Sequence, residues 1–416
     1  MSIFNQIKKG KTIISNFSYM SIMELFILIV PLITYPYLVR VLGENLYGWV
    51  ITAQITASYA SILVDFGFRR VSAKYVSLAR NNPRELSLII STIFLLRFIL
   101  WIISFIIYIS VVLLIPDYRS QFWLFFISFG WTLNSLLFPD FYFQGTEKMK
   151  YITISSLIVR SIILLCIFIF VHKPSDYIYV PAFWSLSFLI SGIWASYIIL
   201  FNHRLSFVKP KLKDFIFHFK ETTPIFLSDI LITLKNNFNY NLIAGILGMS
   251  DVVIYDLGAK ITNLLTKPTM ILSQVLFPRM SLSPNIKIAK SILKYLFIAS
   301  IIIVILANVF LDQIVLFFLD AKIDLAPLRL FLLAPILMGF SYFIPSSIFV
   351  AFGKNKYVMY STYLSTITYV ILLLVMYLNG WLSSLMNFII LTVISYASEA
   401  CVRLYFTSLT FKNHNN

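Results

Sequence analysis

Runs of about twenty apolar residues, separated by short polar stretches, recur along this chain from Phe17 to Leu409. An α-helix of that length crosses a hydrocarbon core about 30 Å thick. The pattern predicts spans over roughly 17–39, 46–68, 86–113, 121–143, 152–171, 179–202, 223–247, 252–276, 291–311, 327–351, 358–378 and 384–408, with a margin for tilt. Inside several spans the polar residues keep helical spacing. Asp256, Lys260, Asn263 and Lys267 stand at i, i+4, i+7 and i+11, which is one stripe. Gln54, Ser58, Ser61 and Asp65 repeat that spacing, and so do Arg97, Trp101, Ser104 and Tyr108, and Asp229, Thr233, Asn236 and Tyr240. Polar faces on several helices need something to face in common, and a water-filled central pathway supplies it.

Composition sharpens the membrane reading. Of 416 residues, 59% are hydrophobic, 17% aromatic and only 12% charged, too few charges for a water-facing surface. Little sequence is left over for a soluble domain. The net charge of +16 comes from 33 Lys+Arg against 17 Asp+Glu, an excess that in a soluble chain would point to nucleic acid. Here the basic residues gather in alternate loops instead. One side collects Lys8, Lys9 and Lys11; Arg69, Arg70, Lys74, Arg80 and Arg84; Lys148 and Lys150; Arg204, Lys209, Lys211, Lys213 and Lys220; Arg279, Lys287, Lys290 and Lys294; and Lys354, Lys356 and Lys412. The other side holds only Arg40, Arg119, Lys173, Lys322 and Arg329. The positive-inside rule then puts both termini in the cytoplasm and supports an even number of spans. The first apolar run lacks a small-residue cleavage pattern and reads as a retained helix.

The longest polar connections are 69–85 and 203–222, and the second divides the chain into an N-terminal lobe, 1–202, and a C-terminal lobe, 223–416. Within that linker Phe207, Val208, Leu212, Phe215, Ile216 and Phe219 alternate with lysines, which suits either an amphipathic segment on anionic headgroups or an ordinary cytoplasmic linker. Val41-Leu42-Gly43 before the second span resembles Ile246-Leu247-Gly248 before the eighth, a hint of duplication of the kind that builds two lobes around a central cavity. Pro31, Pro36, Pro224, Pro268, Pro335 and Pro345 mark places where a helix bends.

Ionisable residues inside spans cost roughly 2.5–3.5 kcal/mol each on insertion scales and are kept for a partner or an aqueous cavity. Glu399 with Arg403 and Asp256 with Lys260 have i, i+4 spacing and suit local pairs. Asp65 and Asp140 lie near an interface, within reach of a loop arginine. Arg97, Arg160, Lys235 and Lys267 have no acid three or four residues away on their own helix. With Lys260 and Asn236 they form the candidate substrate-binding set, whose positive excess implies an anionic substrate. Glu24, Asp65, Asp229 and Asp256 are the candidate ion-coupling set. There is no phosphate-binding glycine loop, no metal-type His/Cys spacing and no nucleophile elbow. Catalytic residues and a cofactor are not expected, and Cys166 and Cys401 form no framework.

Trp131 to Thr153, WTLNSLLFPDFYFQGTEKMKYIT, resembles the signature around the fourth and fifth helices of the O-antigen flippase family (the RfbX/Wzx type) of the multidrug/oligosaccharidyl-lipid/polysaccharide exporter superfamily. Phe143-Gln144-Gly145-Thr146-Glu147-Lys148-Met149 is its most specific stretch. Pro31–Trp49, Val64–Ser77, Ile254–Ile261 and Leu276–Ser281 are similar to further family patterns. The resemblance implies an all-α integral membrane fold of about twelve helices, MATE-like, in two six-helix lobes. It implies a non-enzymatic flippase that moves undecaprenyl-pyrophosphate-linked oligosaccharide (an O-antigen or capsule repeat unit) across a bacterial inner membrane by ion-coupled alternating access. Membrane lipids, a polysaccharide polymerase and a chain-length regulator are the partners it suggests. Two rivals stay open: a multidrug or metabolite exporter of the same superfamily, which would have an acidic cavity, and a membrane polysaccharide polymerase or acyltransferase, which would need a large outward loop or a fixed catalytic set.

Overall fold

The structure is a computed structural model that describes the backbone of residues 3–282 and 284–415. It describes side chains from residue 19 onward, except at 20, 21, 25, 274, 275, 277–279, 281–283, 355 and 413–416. Lys8, Lys9, Lys11 and Arg279 of the charge pattern lie outside the described side chains. Among the described residues every element is helical. The chain divides into two compact units, Met1–Leu234 and Lys235–Asn416.

In the first unit α1 runs Ile3–Asp65, with a break at Gly43, whose φ of 76° only glycine adopts readily. Two predicted spans therefore share one helix. After a tight turn come α2, Phe68–Leu78, and α3, Pro83–Leu114. Asn82 caps α3 by accepting from the Glu85 amide, with Pro83 in the first turn and a Glu85 carboxylate favoured by the helix dipole. The stretch predicted as the span 121–143 is long and apolar enough to cross a membrane, but it is built of short helical pieces interrupted near Phe129 and again at Phe138–Pro139. It is followed by α4, Met149–Phe170, and by α5, Tyr179–Tyr197, which ends in a wider π turn to Asn202. The division between units falls inside α6, Leu212–Ile246.

The second unit continues through α7, Met249–Leu282, and α8, Ile286–Val309, capped by Asn285 on the Ile288 amide. Next come α9, Leu311–Leu319, and two pieces, Ala326–Phe331 and Ala334–Ile344, that lead into a π turn at Pro345–Val350. Pro335 thus opens a helix, and Pro345 begins the wide turn. The unit closes with α10, Asn355–Leu378, and α11, Leu385–Asn415. Gly248, φ 118°, breaks the chain before α7 as Gly43 does in α1, so the two similar tripeptides are both positive-φ junctions.

Nine stretches among the described residues are long and apolar enough to span a membrane. The first of these merges two predicted spans, and α6 and α7 fall outside the set because they are too polar, α6 carrying Asp229, Lys235 and four asparagines. Large aliphatic side chains point outward, as with Ile102, Ile106 and Leu113 on α3. The polar stripe of α3 points inward: Ser104 donates to the Ala60 carbonyl at 3.1 Å and Tyr108 to the Phe125 carbonyl at 2.9 Å. Apolar outside and polar inside is the arrangement a bilayer imposes.

Candidate functional site

The first unit carries a half-open cavity of about 320 Å³, lined largely by polar and charged residues. Five pieces of chain build it. The end of α1 supplies Ser61 and Asp65, the start of α2 supplies Arg69 and Arg70, α3 supplies Arg97, and the broken stretch supplies Asn134, Ser135 and Asp140. From α6 come Asp229 and Thr233. The turn between α1 and α2 sets the geometry, because Phe66 (φ 46°) and Gly67 (φ 76°) reverse the chain within two residues. A Cβ on Gly67 would lie 3.0 Å from Ile225 Cγ2, so both conformation and space call for glycine here. The Phe66 ring is clamped between Phe219 at 4.6 Å and Phe226 at 4.2 Å, both nearly parallel to it. This sandwich fixes α6 against the turn that carries Asp65 on one side and the two arginines on the other.

Charges in the cavity alternate. The Arg97 guanidinium sits 2.7 Å from Asp65 and 3.6 Å from Asp140, donates to the Phe138 carbonyl at 3.0 Å and lies 5.1 Å from the Phe141 ring centre. Arg69 meets the other Asp140 oxygen at 3.0 Å, and Arg70 meets Asp229 at 3.1 Å. Arg97 is 1% exposed, whereas Arg69 and Arg70 are 53% and 65% exposed. The buried cation is therefore locked, and the outer two are held loosely by pairs worth little in water.

These contacts correct the expectation of unpaired cations. Arg97 has no acid three or four residues away on its own helix, but Asp65 and Asp140 reach it from elsewhere. Lys235 is likewise paired in the second unit: it lies 2.5 Å from Glu399 and donates to Ser365 at 3.2 Å. Glu399 also binds Arg403 at 2.7 Å, and Arg403 in turn donates to the carbonyl of Ser341 and to Ser361. One carboxylate thus joins two cations from α6 and α11. One turn further along α6, Asn239 donates to Thr392 at 2.8 Å and to Tyr255 at 3.2 Å, and accepts from Tyr369 at 2.6 Å. Asp256 pairs with Lys260 four residues on and accepts from Tyr240 at 3.2 Å.

The remaining predicted residues are dispersed. Glu24 lies close enough to Arg160 to act on it electrostatically, and Arg160 leaves its Nε without a partner. Asn236 is exposed and Lys267 half-buried. The predicted set therefore falls into separate places: Arg97, Asp65 and Asp229 around the first-unit cavity, Glu24 with Arg160, and Lys235, Asp256 and Lys260 within the second unit. Sequence reasoning read Arg69 and Arg70 only as loop charges. The signal was available in Asp65-Phe66-Gly67-Phe68-Arg69-Arg70, where a glycine turn returns two cations toward the acid that precedes it.

Another cluster sits at one edge of this unit, on the most specific stretch of the sequence. Gly145 packs on α2 so closely that a Cβ would lie 2.6 Å from the Ala73 carbonyl. Arg80 donates to the Gly145 carbonyl at 2.8 Å and pairs with Glu147 at 3.1 Å. Lys148 lies 2.7 Å from His203 Nε2, and Tyr142 lies 2.9 Å from Nδ1. An ammonium only donates, so Nε2 accepts, and Nδ1 carries the ring proton and donates to the Tyr142 oxygen. Burial and the Lys148 charge push the His203 pKa below its ordinary value, and burial lowers that of Lys148.

The sequence model of the polysaccharide biosynthesis protein family matches residues 13–283. The chain belongs to that family. The stretches that carried the sequence resemblance, Pro31–Trp49, Val64–Ser77 and Trp131–Thr153, lie inside the matched region. Among curated proteins this polysaccharide biosynthesis protein is 27% identical over 266 residues to one from Escherichia coli (strain K12) named as an O-antigen transporter, a match covering 64% of each chain. It thus spans just under two thirds of that relative's length. Among solved structures it is similar to an outward-facing multidrug resistance MATE family transporter of the MOP superfamily (TM-score 0.64, 16% identity, 96% of this chain and 95% of that one). It is also similar to a MOP superfamily transporter from Pyrococcus furiosus with a binding pocket of reverse polarity (TM-score 0.59, 15% identity, 97% and 95%). The fold is that of the MATE transporters: all-α and membrane-integral.

Proposed function

We propose that this chain is a flippase that moves an undecaprenyl-pyrophosphate-linked oligosaccharide, an O-antigen or capsule repeat unit, across a bacterial inner membrane, and that it is not an enzyme. The observation that carries the reading is the arginine-bearing cavity of the first unit in a member of the polysaccharide biosynthesis family. A guanidinium offers a pyrophosphate two donors in a fork, whereas a lysine acts as a point charge. Arg69 and Arg70 are exposed and loosely paired, so an entering phosphate competes for them at little cost, while Arg97 holds the floor. In this proposal Asp65 and Asp229 exchange a proton as the arginines change partner, which couples transport to an ion gradient through alternating access of lobes 1–202 and 223–416. In the same reading Glu24 and Asp256 belong to the ion-coupling set, and Arg160, Lys235, Lys260, Lys267 and Asn236 to the substrate-binding set. Both termini face the cytoplasm, and the partners are membrane lipids, a polymerase and a chain-length regulator.

The test is reconstitution. The full chain is placed in liposomes carrying a fluorescent polyprenyl-pyrophosphate oligosaccharide in one leaflet, and accessibility to an impermeant quencher is followed. Transfer faster than in protein-free liposomes, reduced by Arg70→Gln, is the expected result. Transfer no faster than the lipid control, with uptake of cationic drugs in its place, refutes the proposal.

A further inference from the structure

The second unit carries a groove that the transport reading does not use. It has a volume of about 520 Å³ and runs between α8 and the helical pieces after Leu325. Ile301, Ile305 and Val309 form one wall and Leu333 and Ile336 the other, and Arg329 stands at the mouth. From Ile301 to Val309 is eight residue steps, or about 12 Å of helix. α8 begins with Lys287, Lys290 and Lys294, and the groove opens at the other end, so its mouth lies at one face of the membrane and its floor runs toward the middle.

Three observations define what fills it. The walls are branched aliphatics in a membrane-spanning stretch, and they offer water no network of partners. A void there forfeits dispersion contacts on both sides, and a hydrocarbon chain restores them. Ile305, Val309 and Leu333 are 57%, 64% and 42% exposed, so the groove is open along its length to such a chain. At the mouth Asn308 spends its amide donor on the Val304 carbonyl at 3.0 Å. Arg329 is exposed and makes no ion pair among the described residues. An uncompensated guanidinium at headgroup depth, above an apolar channel, matches an amphiphile with one anionic phosphate and a long tail.

We infer that this groove is a binding site for an anionic phospholipid, with one acyl chain lying along Ile301–Val309 and the phosphate held by Arg329. The site belongs to the second unit alone, so it stands or falls independently of the flippase proposal.

Native mass spectrometry of the full chain, stripped of lipid in detergent and titrated with phosphatidylglycerol or phosphatidylcholine, tests the assignment. One tight phosphatidylglycerol is expected, bound more strongly than phosphatidylcholine. Arg329→Gln should weaken it about fivefold, the effect of one basic residue at a lipid surface. Ile305→Trp fills the channel and should remove tight binding of both lipids. Both side chains are exposed, so the variants keep their fold, which gel filtration verifies. Equal retention of phosphatidylglycerol by wild type and both variants overturns the assignment. So does a polyprenyl phosphate that binds the wild type more tightly than phosphatidylglycerol and displaces it.

Discussion

Arg97→Met removes the one fully buried cation of the first-unit cavity, and the consequence can be worked contact by contact. Asp140 keeps Arg69 at 3.0 Å, so the group left stranded is Asp65, whose side chain is 25% exposed. Stranding a buried charge costs about 3–5 kcal/mol, and access to the cavity places this case at the lower end, about 3 kcal/mol. For a folding unit of this size that lowers the unfolding midpoint by about 6–12 °C. Thermal unfolding of the detergent-purified chain, followed by fluorescence-detected gel filtration, reads the shift. The double variant Arg97→Met with Asp65→Asn leaves no charge stranded and should recover most of the loss, since the two side chains act on each other directly. A double variant as unstable as Arg97→Met alone would mean that Arg97 acts by filling space, and the electrostatic account would be refuted.

In the second unit, Glu399→Gln leaves Lys235 and Arg403 facing each other without their shared acid; a midpoint loss at least as large as that of Arg97→Met is expected, and an unchanged midpoint would disprove the bridge. Gly67→Ala imposes a left-handed backbone on alanine, at about 1–2 kcal/mol, and pushes a methyl onto Ile225; it should lower both the yield and the midpoint, while Gly245→Ala, where nothing crowds the added carbon, should not. The pKa of His203 lies below its ordinary 6.5 in the folded chain, so its contribution to stability is complete above pH 6.5 and declines as pH falls through that range toward the folded value, because the unfolded chain binds the proton first. Unfolding midpoints at pH 7.5 and 5.5 should therefore converge in His203→Gln relative to wild type, and an identical pH dependence in the two would contradict the lowered pKa.

What was legible in the sequence was whatever repeats with the helix. The stripe Arg97, Ser104 and Tyr108 could be read because positions three and four apart share a face, and each of these side chains does point inward. The local pairs Asp256–Lys260 and Glu399–Arg403 could be read for the same reason. Partners from distant helices could not. Asp65 and Arg97 are separated by 32 positions and Lys235 and Glu399 by 164, distances that no periodicity encodes. The interruptions within Phe122–Gly145 also escaped, although Gly130 and Pro139 stand at them. There Gly130 lets the backbone approach Ser185, where any Cβ would collide. The Phe143–Met149 stretch stood out for a physical cause: Gly145 admits α2, Glu147 takes a positive φ of 59° and Lys148 fixes His203.

Among the described residues lining the first-unit cavity, three guanidinium groups face three carboxylates. Such an array carries almost no monopole, and its field falls off within a few ångströms instead of reaching into bulk solution. Under the proposed function, a passing anion is thus not drawn in from afar; it is recognised on contact, by exchanging places with an aspartate. Ionic strength, which attenuates long-range steering, should consequently alter the occupancy of this cavity far less than the cell's pH does.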